Sequence, residues 1–326
     1  MIRQLFLILS IASSTWSQGC KSEDGSDIDW WVAIKGPRGT EYLYADVITP
    51  TLILSPYSMN DTDTGALAHT VSQLWTPGLS YTIWNDEPAP AAQNYNSSYG
   101  HTKGILTDTF WLIHSIPIFP AGPASTPEYQ ALGSNAWTYA QSAACFTISD
   151  SATLNTIGGL LQFYHPNVYD VGVTPSTSPA VRALAAGAVH KDPVCATATL
   201  SISSTSGVRM YAKTPAWNAD LWSACVAPTE SVDLWVESWL RGSEVGPVCN
   251  GPVWTTDVQE VDYGGGMTWS EYSDHGKWAV DTNGTVFCIG GINRMTTQYV
   301  RAGGAVCWNT TLANSFANAV SSAAQC

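Results

Sequence analysis

Two short stretches decide how this chain is read: Gly100-His-Thr-Lys-Gly104 and Asp274-His-Gly-Lys-Trp278. Each contains the element His-x-Lys. In extended backbone, residues i and i+2 face the same side, roughly 6–7 Å apart. His101 with Lys103, and His275 with Lys277, therefore each present an imidazole and an ammonium to one space. Two such strands, one from each half of the chain, could surround a single phosphate. Phosphoryl transfer needs a nucleophile, a proton donor for the leaving oxygen and fixed positive charge on the remaining oxygens. The chain has six histidines and six lysines, and two of each fall in this pattern. The competing reading is two solvated turns, and the surrounding sequence has to decide between them.

Around the two elements, strand-like runs dominate. Asp29-Trp-Trp-Val-Ala-Ile34, Tyr42-Leu-Tyr44, Tyr81-Thr-Ile-Trp84, Gly104-Ile-Leu106, Phe110-Trp-Leu-Ile113, Ala196 to Ile202 and Val286-Phe-Cys-Ile289 are rich in β-branched and aromatic residues. Helical spacing is confined to Gly65–Leu74, Ser151–Phe163, Leu312–Ala324 and, more softly, Ala180–Val189. The pattern is that of a mixed α/β (α+β) chain of two lobes dividing around residues 165–195. The division adopted is 20–180 with the first His-x-Lys and 181–326 with the second. The 15 tryptophans run from Trp16 to Trp308, and core packing is the expected use of most of them. Gly264-Gly-Gly266 reads as a loop and not a phosphate cradle, since no helix pattern follows it.

Residues 1–19 carry one positive charge, a short apolar run and then small residues, the form of a secretory signal peptide. No later segment is apolar enough over about 18 residues to span a membrane, so no membrane partner is expected. Eight cysteines remain, Cys20, Cys145, Cys195, Cys225, Cys249, Cys288, Cys307 and Cys326, none in a C-x-x-C pair. In an oxidising compartment that even count implies four disulfides, with the pairing open at this point. Sequons at Asn60, Asn96, Asn283 and Asn309 agree with export. The formal charge of −13 is awkward for a polyanionic partner. Protonating the six histidines brings it to about −7, and carboxylates approach neutrality near pH 4–5. Binding of nucleic acid in a basic cleft at acid pH is therefore compatible with the composition. Asp46 and Asp274 are candidates to orient a lysine or histidine, with exposed carboxylates the expected reading, and His69, His165 and His190 are expected to be surface or structural residues.

The chain resembles the deoxyribonuclease II family of acid nucleases. Besides the two His-x-Lys segments, the resemblance is carried by Asp29-Trp-Trp-Val-Ala-Ile-Lys35, Trp84-Asn-Asp-Glu-Pro88 and Phe110-Trp-Leu-Ile-His-Ser-Ile-Pro117. Cys288-Ile-Gly-Gly-Ile-Asn-Arg294 and Arg301-Ala-Gly-Gly-Ala-Val-Cys307 complete it. It implies a phospholipase D-like architecture: two pseudo-repeat lobes, each a β-sheet flanked by helices, meeting at one cleft. It also implies Cys20–Cys145, Cys249–Cys326 and Cys288–Cys307 disulfides, leaving Cys195–Cys225. The superfamily pattern places an Asp five residues beyond the Lys; Asp108 fits, whereas Asp281 is one residue short. The implied catalytic set is His101 as nucleophile, His275 as acid, Lys103 and Lys277 as phosphate ligands, and His114 and Asn293 as hydrogen-bonding helpers. The implied activity is metal-independent endonucleolytic hydrolysis of double-stranded DNA through a phosphohistidine, leaving 3′-phosphate ends. No cofactor is implied, recognition is backbone-directed, and the location is secreted or lysosomal. A homodimer is compatible with this reading. Two alternatives remain at this stage: a secreted non-catalytic member that holds nucleic acid or a host partner, favoured by the irregular Gly276 and by the weakly matching middle from about 120 to 245, and a phospholipase or other phosphodiesterase on the same architecture.

Overall fold

The computed structural model describes residues 18–89, 98–202 and 205–326. Most of the expected signal peptide, residues 1–17, and the Asn96 sequon lie outside the described residues. A small hairpin, β1 (Cys20–Lys21) and β2 (Asp27–Ile28), begins the described chain.

Eight strands then form an antiparallel sheet. They are β3 (Trp30–Lys35), β4 (Glu41–Asp46), β5 (Ile53–Ser58), β6 (Tyr81–Asn85), β7 (Lys103–Thr107), β8 (Phe110–His114), β9 (Gln141–Thr147) and β10 (Val168–Gly172). Their spatial order is β10-β6-β7-β8-β9-β3-β4-β5.

Nine strands form the second sheet: β11 (Cys195–Ile202), β12 (Thr205–Lys213), β13 (Leu234–Glu237), β14 (Thr255–Asp262), β15 (Thr268–Ser270), β16 (Trp278–Asp281), β17 (Val286–Gly290), β18 (Gly303–Asn309) and β19 (Val320–Ala323). The order is β11-β12-β18-β17-β16-β13-β14-β15 with β19 against β14, and β13–β14 is its parallel pair. The helices are few: α1 (Gly65–Val71), α2 (Ser151–Leu161), α3 (Pro179–Ala185), α4 (Ala227–Glu230) and α5 (Leu312–Ala319). No helix among the described residues is long and apolar enough to cross a membrane.

Period-two alternation explains why both faces of each sheet are buried. On β3, Trp30, Val32 and Ile34 face the central core, while Trp31 and Ala33 face an outer layer under α1. On β17, Phe287 and Ile289 face the same central core, and Val286 and Cys288 face a second outer layer. The two sheets thus share one hydrophobic core, to which α2, α3 and α5 contribute. At its centre the Trp308 ring meets Trp30 at 5.7 Å, Phe146 at 5.2 Å and Phe287 at 5.2 Å in edge-on contacts. Such aromatic contacts add about 0.5–1.5 kcal/mol each beyond area burial. The tryptophans at 30, 31, 84, 111, 222, 269, 278 and 308 are all buried, as expected of core residues.

The four disulfides are Cys20–Cys145, Cys195–Cys225, Cys249–Cys326 and Cys288–Cys307, the set the resemblance implied. The first closes a separation of 125 residues, worth on the order of 4–5 kcal/mol in the chain-entropy account. Helical spacing over 312–324 runs past the true end of α5. The chain turns extended at Val320 and pairs with β14, and the Cys249–Cys326 bond anchors it there. Asp46 and Asp274 also differ from expectation, because both are buried. Asp46 takes hydrogen bonds from the Tyr44 hydroxyl and the amides of Ile48 and Thr49, closing the turn after β4.

Candidate active site

The two His-x-Lys elements come from different sheets and open into one cleft of about 190 Å³. Lys103 is the first residue of β7, and Lys277 immediately precedes β16. His101, Lys103, His275, Lys277 and Asn293 line the cleft together with Asp86, Gln298, Arg301 and Trp239. Asn293 is buried, and its amide oxygen is left without a hydrogen-bond partner. His114, the last residue of β8, lies one layer behind. It borders a small void with His101, Lys103 and Lys277, its ring packs 4.4 Å from Phe119, and neither ring nitrogen has a partner. Asp108 and Asp281 stand at the far ends of their strands from the lysines. Asp108 accepts from the Ser80 amide, and Asp281 accepts from the amides of Asn283, Thr285 and Val286, so both tie turns.

Each histidine is held by the opposite sheet. The His101 amide donates to the Ala302 carbonyl at 2.9 Å, and the His275 amide donates to the Ala140 carbonyl at 2.9 Å. The Gln298 side-chain oxygen meets His101 Nδ1 at 3.0 Å, while the Tyr139 ring stacks on His275 at 4.1 Å. Two buried lysines brace these clamps. Lys213 donates to the carbonyls of Gln298, Tyr299 and Arg301, and Lys35 donates to those of Gly36, Gly39 and Trp137. Close backbone approach leaves no room for side chains here: a Cβ at Gly100 would lie 1.8 Å from the Tyr164 carbonyl oxygen, and one at Gly291 would lie 2.5 Å from that of His101. Gly276 has its own reason. Its amide donates to Asp274 Oδ1 at 2.5 Å, and a Cβ would meet that oxygen at 2.8 Å.

Asp86 organises the charge. Its carboxylate accepts from Lys103 Nζ at 2.5 Å and Arg301 Nη2 at 2.9 Å, with His101 Nε2 at 3.9 Å. Burial alone would raise its pKa, but the neighbouring Lys103, His101 and Arg301 hold it well below the usual carboxylate range. The loop is shaped by Asn85, whose side chain donates to the Ile116 carbonyl and accepts from the Glu87 amide. Lys277 Nζ donates to the His275 carbonyl at 2.5 Å, and its amide donates to Ser142 Oγ. Burial first, and then Lys103, push Lys277 down to about 7.

The histidines depart from expectation in one respect. An ordinary imidazole, with a pKa of about 6.5, would be charged in mildly acidic medium. Burial and the surrounding cations instead hold His275 and His114 at about 3 and His101 well below its ordinary value. At pH 5 His275 and His114 are therefore neutral, and the charged form of His101 is disfavoured. Among the described residues, no group of three or more histidine, cysteine or carboxylate side chains is placed to hold a metal ion. The positive charge of the cleft is that of Lys103, Lys277 and Arg301.

A cleft that gathers two His-x-Lys elements and Arg301 with the Asp86 and Glu87 carboxylates is the feature to set beside known proteins. The deoxyribonuclease II family model matches residues 19–326. The chain belongs to the deoxyribonuclease II family. It is 31% identical to Deoxyribonuclease-2 of Caenorhabditis elegans, with 93% of this chain and 92% of that protein covered. It is likewise 31% identical to Deoxyribonuclease-2-beta of Rattus norvegicus over 99% and 96% of the two chains. A Putative deoxyribonuclease-2 of Burkholderia thailandensis is 32% identical, with 88% and 87% covered. Within this deoxyribonuclease II family chain, Trp84-Asn-Asp-Glu-Pro88 and Arg301 stand in the sequence only as marks of resemblance. Asp86, Arg301, Gln298, Trp239 and Tyr139 had been given no role. The one usable signal was charge economy: 13 basic residues in a chain of −13, with Arg301 among them beside Gly303-Gly304.

Proposed function

We propose that the protein is an acid endonuclease that hydrolyses DNA phosphodiester bonds through a phosphohistidine on His101. One observation carries this reading: two imidazole–ammonium pairs from different sheets line a single cleft with Arg301. Gln298 offers His101 Nδ1 an oxygen, so Nδ1 keeps the proton and Nε2 keeps its lone pair. A neutral His101 is what a nucleophile requires. His101 Nε2 attacks phosphorus and the P–O5′ bond breaks, while His275, charged once the phosphate is bound, gives its proton to the departing oxygen. His275 then takes a proton from water, whose oxygen displaces His101 from phosphorus. The products are a 5′-hydroxyl, a 3′-phosphate and the restored imidazoles. Lys103, Lys277 and Arg301 stabilise the charge that grows on the non-bridging oxygens, a task metal ions perform in many phosphoryl transfers, so the reaction is proposed to need no metal. Asn293, which lines the cleft, and His114 behind the lysines are proposed as helpers.

The proposal extends to architecture: a phospholipase D-like pair of pseudo-repeats, 20–180 and 181–326, each contributing one His-x-Lys. All lining residues belong to one chain, so dimerisation is not required. Four disulfides favour passage through the secretory pathway to a lysosomal or extracellular destination. The non-catalytic alternative had leaned on Gly276, which Asp274 accounts for on steric grounds. Plasmid nicking at pH 5 in EDTA tests the reading. Cleavage under these conditions supports it; a requirement for added Mg²⁺, or greater activity at pH 7.5, contradicts it.

A further inference from the structure

The cleft wall beside His275 is aromatic and cationic. Trp239 leans on the His275 ring at 4.4 Å, lines the cleft, and has a buried indole N–H without a hydrogen-bond partner. The Arg241 guanidinium lies 5.6 Å from the Trp239 ring centre and 5.9 Å from that of Tyr139. Arg209, Arg294 and Arg301 pair with carboxylates, whereas among the described residues Arg241 has no such pair. Arg241 is exposed and donates only to the carbonyl of Tyr272, itself 50% exposed.

Holding the His275 ring requires the two aromatics and not an arginine outside them. A guanidinium 5.6 Å and 5.9 Å from two ring centres, beside an indole that lines the cleft, is matched by a flat aromatic ligand. A nucleobase has that chemistry: it stacks on aromatic and guanidinium planes and accepts through ring nitrogens and carbonyls. A phosphate would engage the guanidinium alone.

We propose that Trp239, Tyr139 and Arg241 form a subsite for the nucleobase of the nucleotide that carries the departing 5′ oxygen. The proposal rests on the reading of His275 as donor to that oxygen, because the subsite adjoins the His275 ring. A paired base must leave its stack to reach it, so recognition on this side would be of a turned-out base and not of the backbone alone.

The test uses short duplexes in which every linkage but one is a methylphosphonate, cleaved at pH 5. The leaving-side nucleotide carries either its base or a tetrahydrofuran abasic analogue. Trp239 and Tyr139 touch His275 and are left intact; the variants are Arg241→Ala and Arg241→Gln, with melting temperatures compared to the parent. Base stacking predicts that each variant loses at least about fivefold in kcat/KM on the intact duplex and little on the abasic one. Equal losses on both duplexes, or no loss on either, overturn the subsite. If the parent protein cleaves neither duplex, the nuclease reading itself fails; cleavage without coupling between Arg241 and the base sinks the subsite alone.

Discussion

Gln298 Oε1 stands 3.0 Å from His101 Nδ1, across 197 residues of sequence, and an oxygen there favours the tautomer with its proton on Nδ1. The contact fixes both the tautomer and the orientation of the proposed nucleophile. Gln298→Ala should lower kcat by roughly ten- to a hundredfold, less than the ~10⁴ seen when a histidine's carboxylate partner is removed. Gln298→Glu should keep the tautomer, raise the His101 pKa and move the acid limb of the pH–rate profile upward. An unchanged profile with full activity in both variants would show that the contact does not act on the reaction.

Asp86 neutralises Lys103 and Arg301 in a buried site. Removing it strands those cations, and the loss of one partner from a buried pair typically costs about 3–5 kcal/mol. Its depressed pKa means that its stabilisation is present above the unfolded carboxylate value and lost as pH falls through the lower folded one. The deficit of Asp86→Ala should therefore be undiminished between pH 7 and pH 5, as chemical denaturation at both values can check.

Glu237 works in the opposite direction. Both of its carboxylate oxygens are buried without partners, and burial, followed by Asp274, Glu271 and Asp257, holds its pKa well above the ordinary value. The folded state favours its protonated form, so stability is lost as pH rises through the unfolded glutamate range and beyond. Glu237→Gln, a mimic of the protonated acid, should raise the melting temperature more at pH 7.5 than at pH 5. A larger gain at pH 5 would contradict this sign.

With His275 at about 3 in the empty cleft, a charged donor at pH 5 has to be created by the substrate. A phosphodiester anion in that setting favours the imidazolium, so DNA binding should take up about one proton. Calorimetry on His101→Ala, run in buffers of different ionisation enthalpy at pH 5, measures this directly; zero uptake would remove His275 as donor. Lys277, held at about 7, adds a second limit. DNA affinity should fall as pH rises from 6 to 8 while this ammonium deprotonates, and Lys277→Ala should flatten that slope.

The unbroken apolar runs around Trp30, Phe110 and Phe287 made the strands legible, because burial on both faces demands continuous apolar sequence. The pairing of His101 with Lys103 and of His275 with Lys277 was legible from their spacing, although only Lys103 lies in a strand and the other three stand in irregular backbone just ahead of β7 and β16. Asp86, Gln298 and Arg301 were not, since their role exists only where the two sheets meet, and a lone Gln or Asp carries no local signature. The same holds for Lys35 and Lys213, which the sequence offers as surface charges and the fold uses as buried ties for three carbonyls each. The departures of Asp46, Asp274 and the His275 pKa have one cause: burial, which composition does not report residue by residue.

The division of labour between the two histidines is tested most directly by a DNA substrate with sulfur in place of the departing 5′ oxygen. A thiolate leaves without a proton, so the account predicts that this substrate restores strand cleavage to His275→Ala and traps a covalent DNA–His101 adduct. It predicts no rescue of His101→Ala. Rescue of His101→Ala with none for His275→Ala, or an adduct on any other residue, would contradict the proposed mechanism.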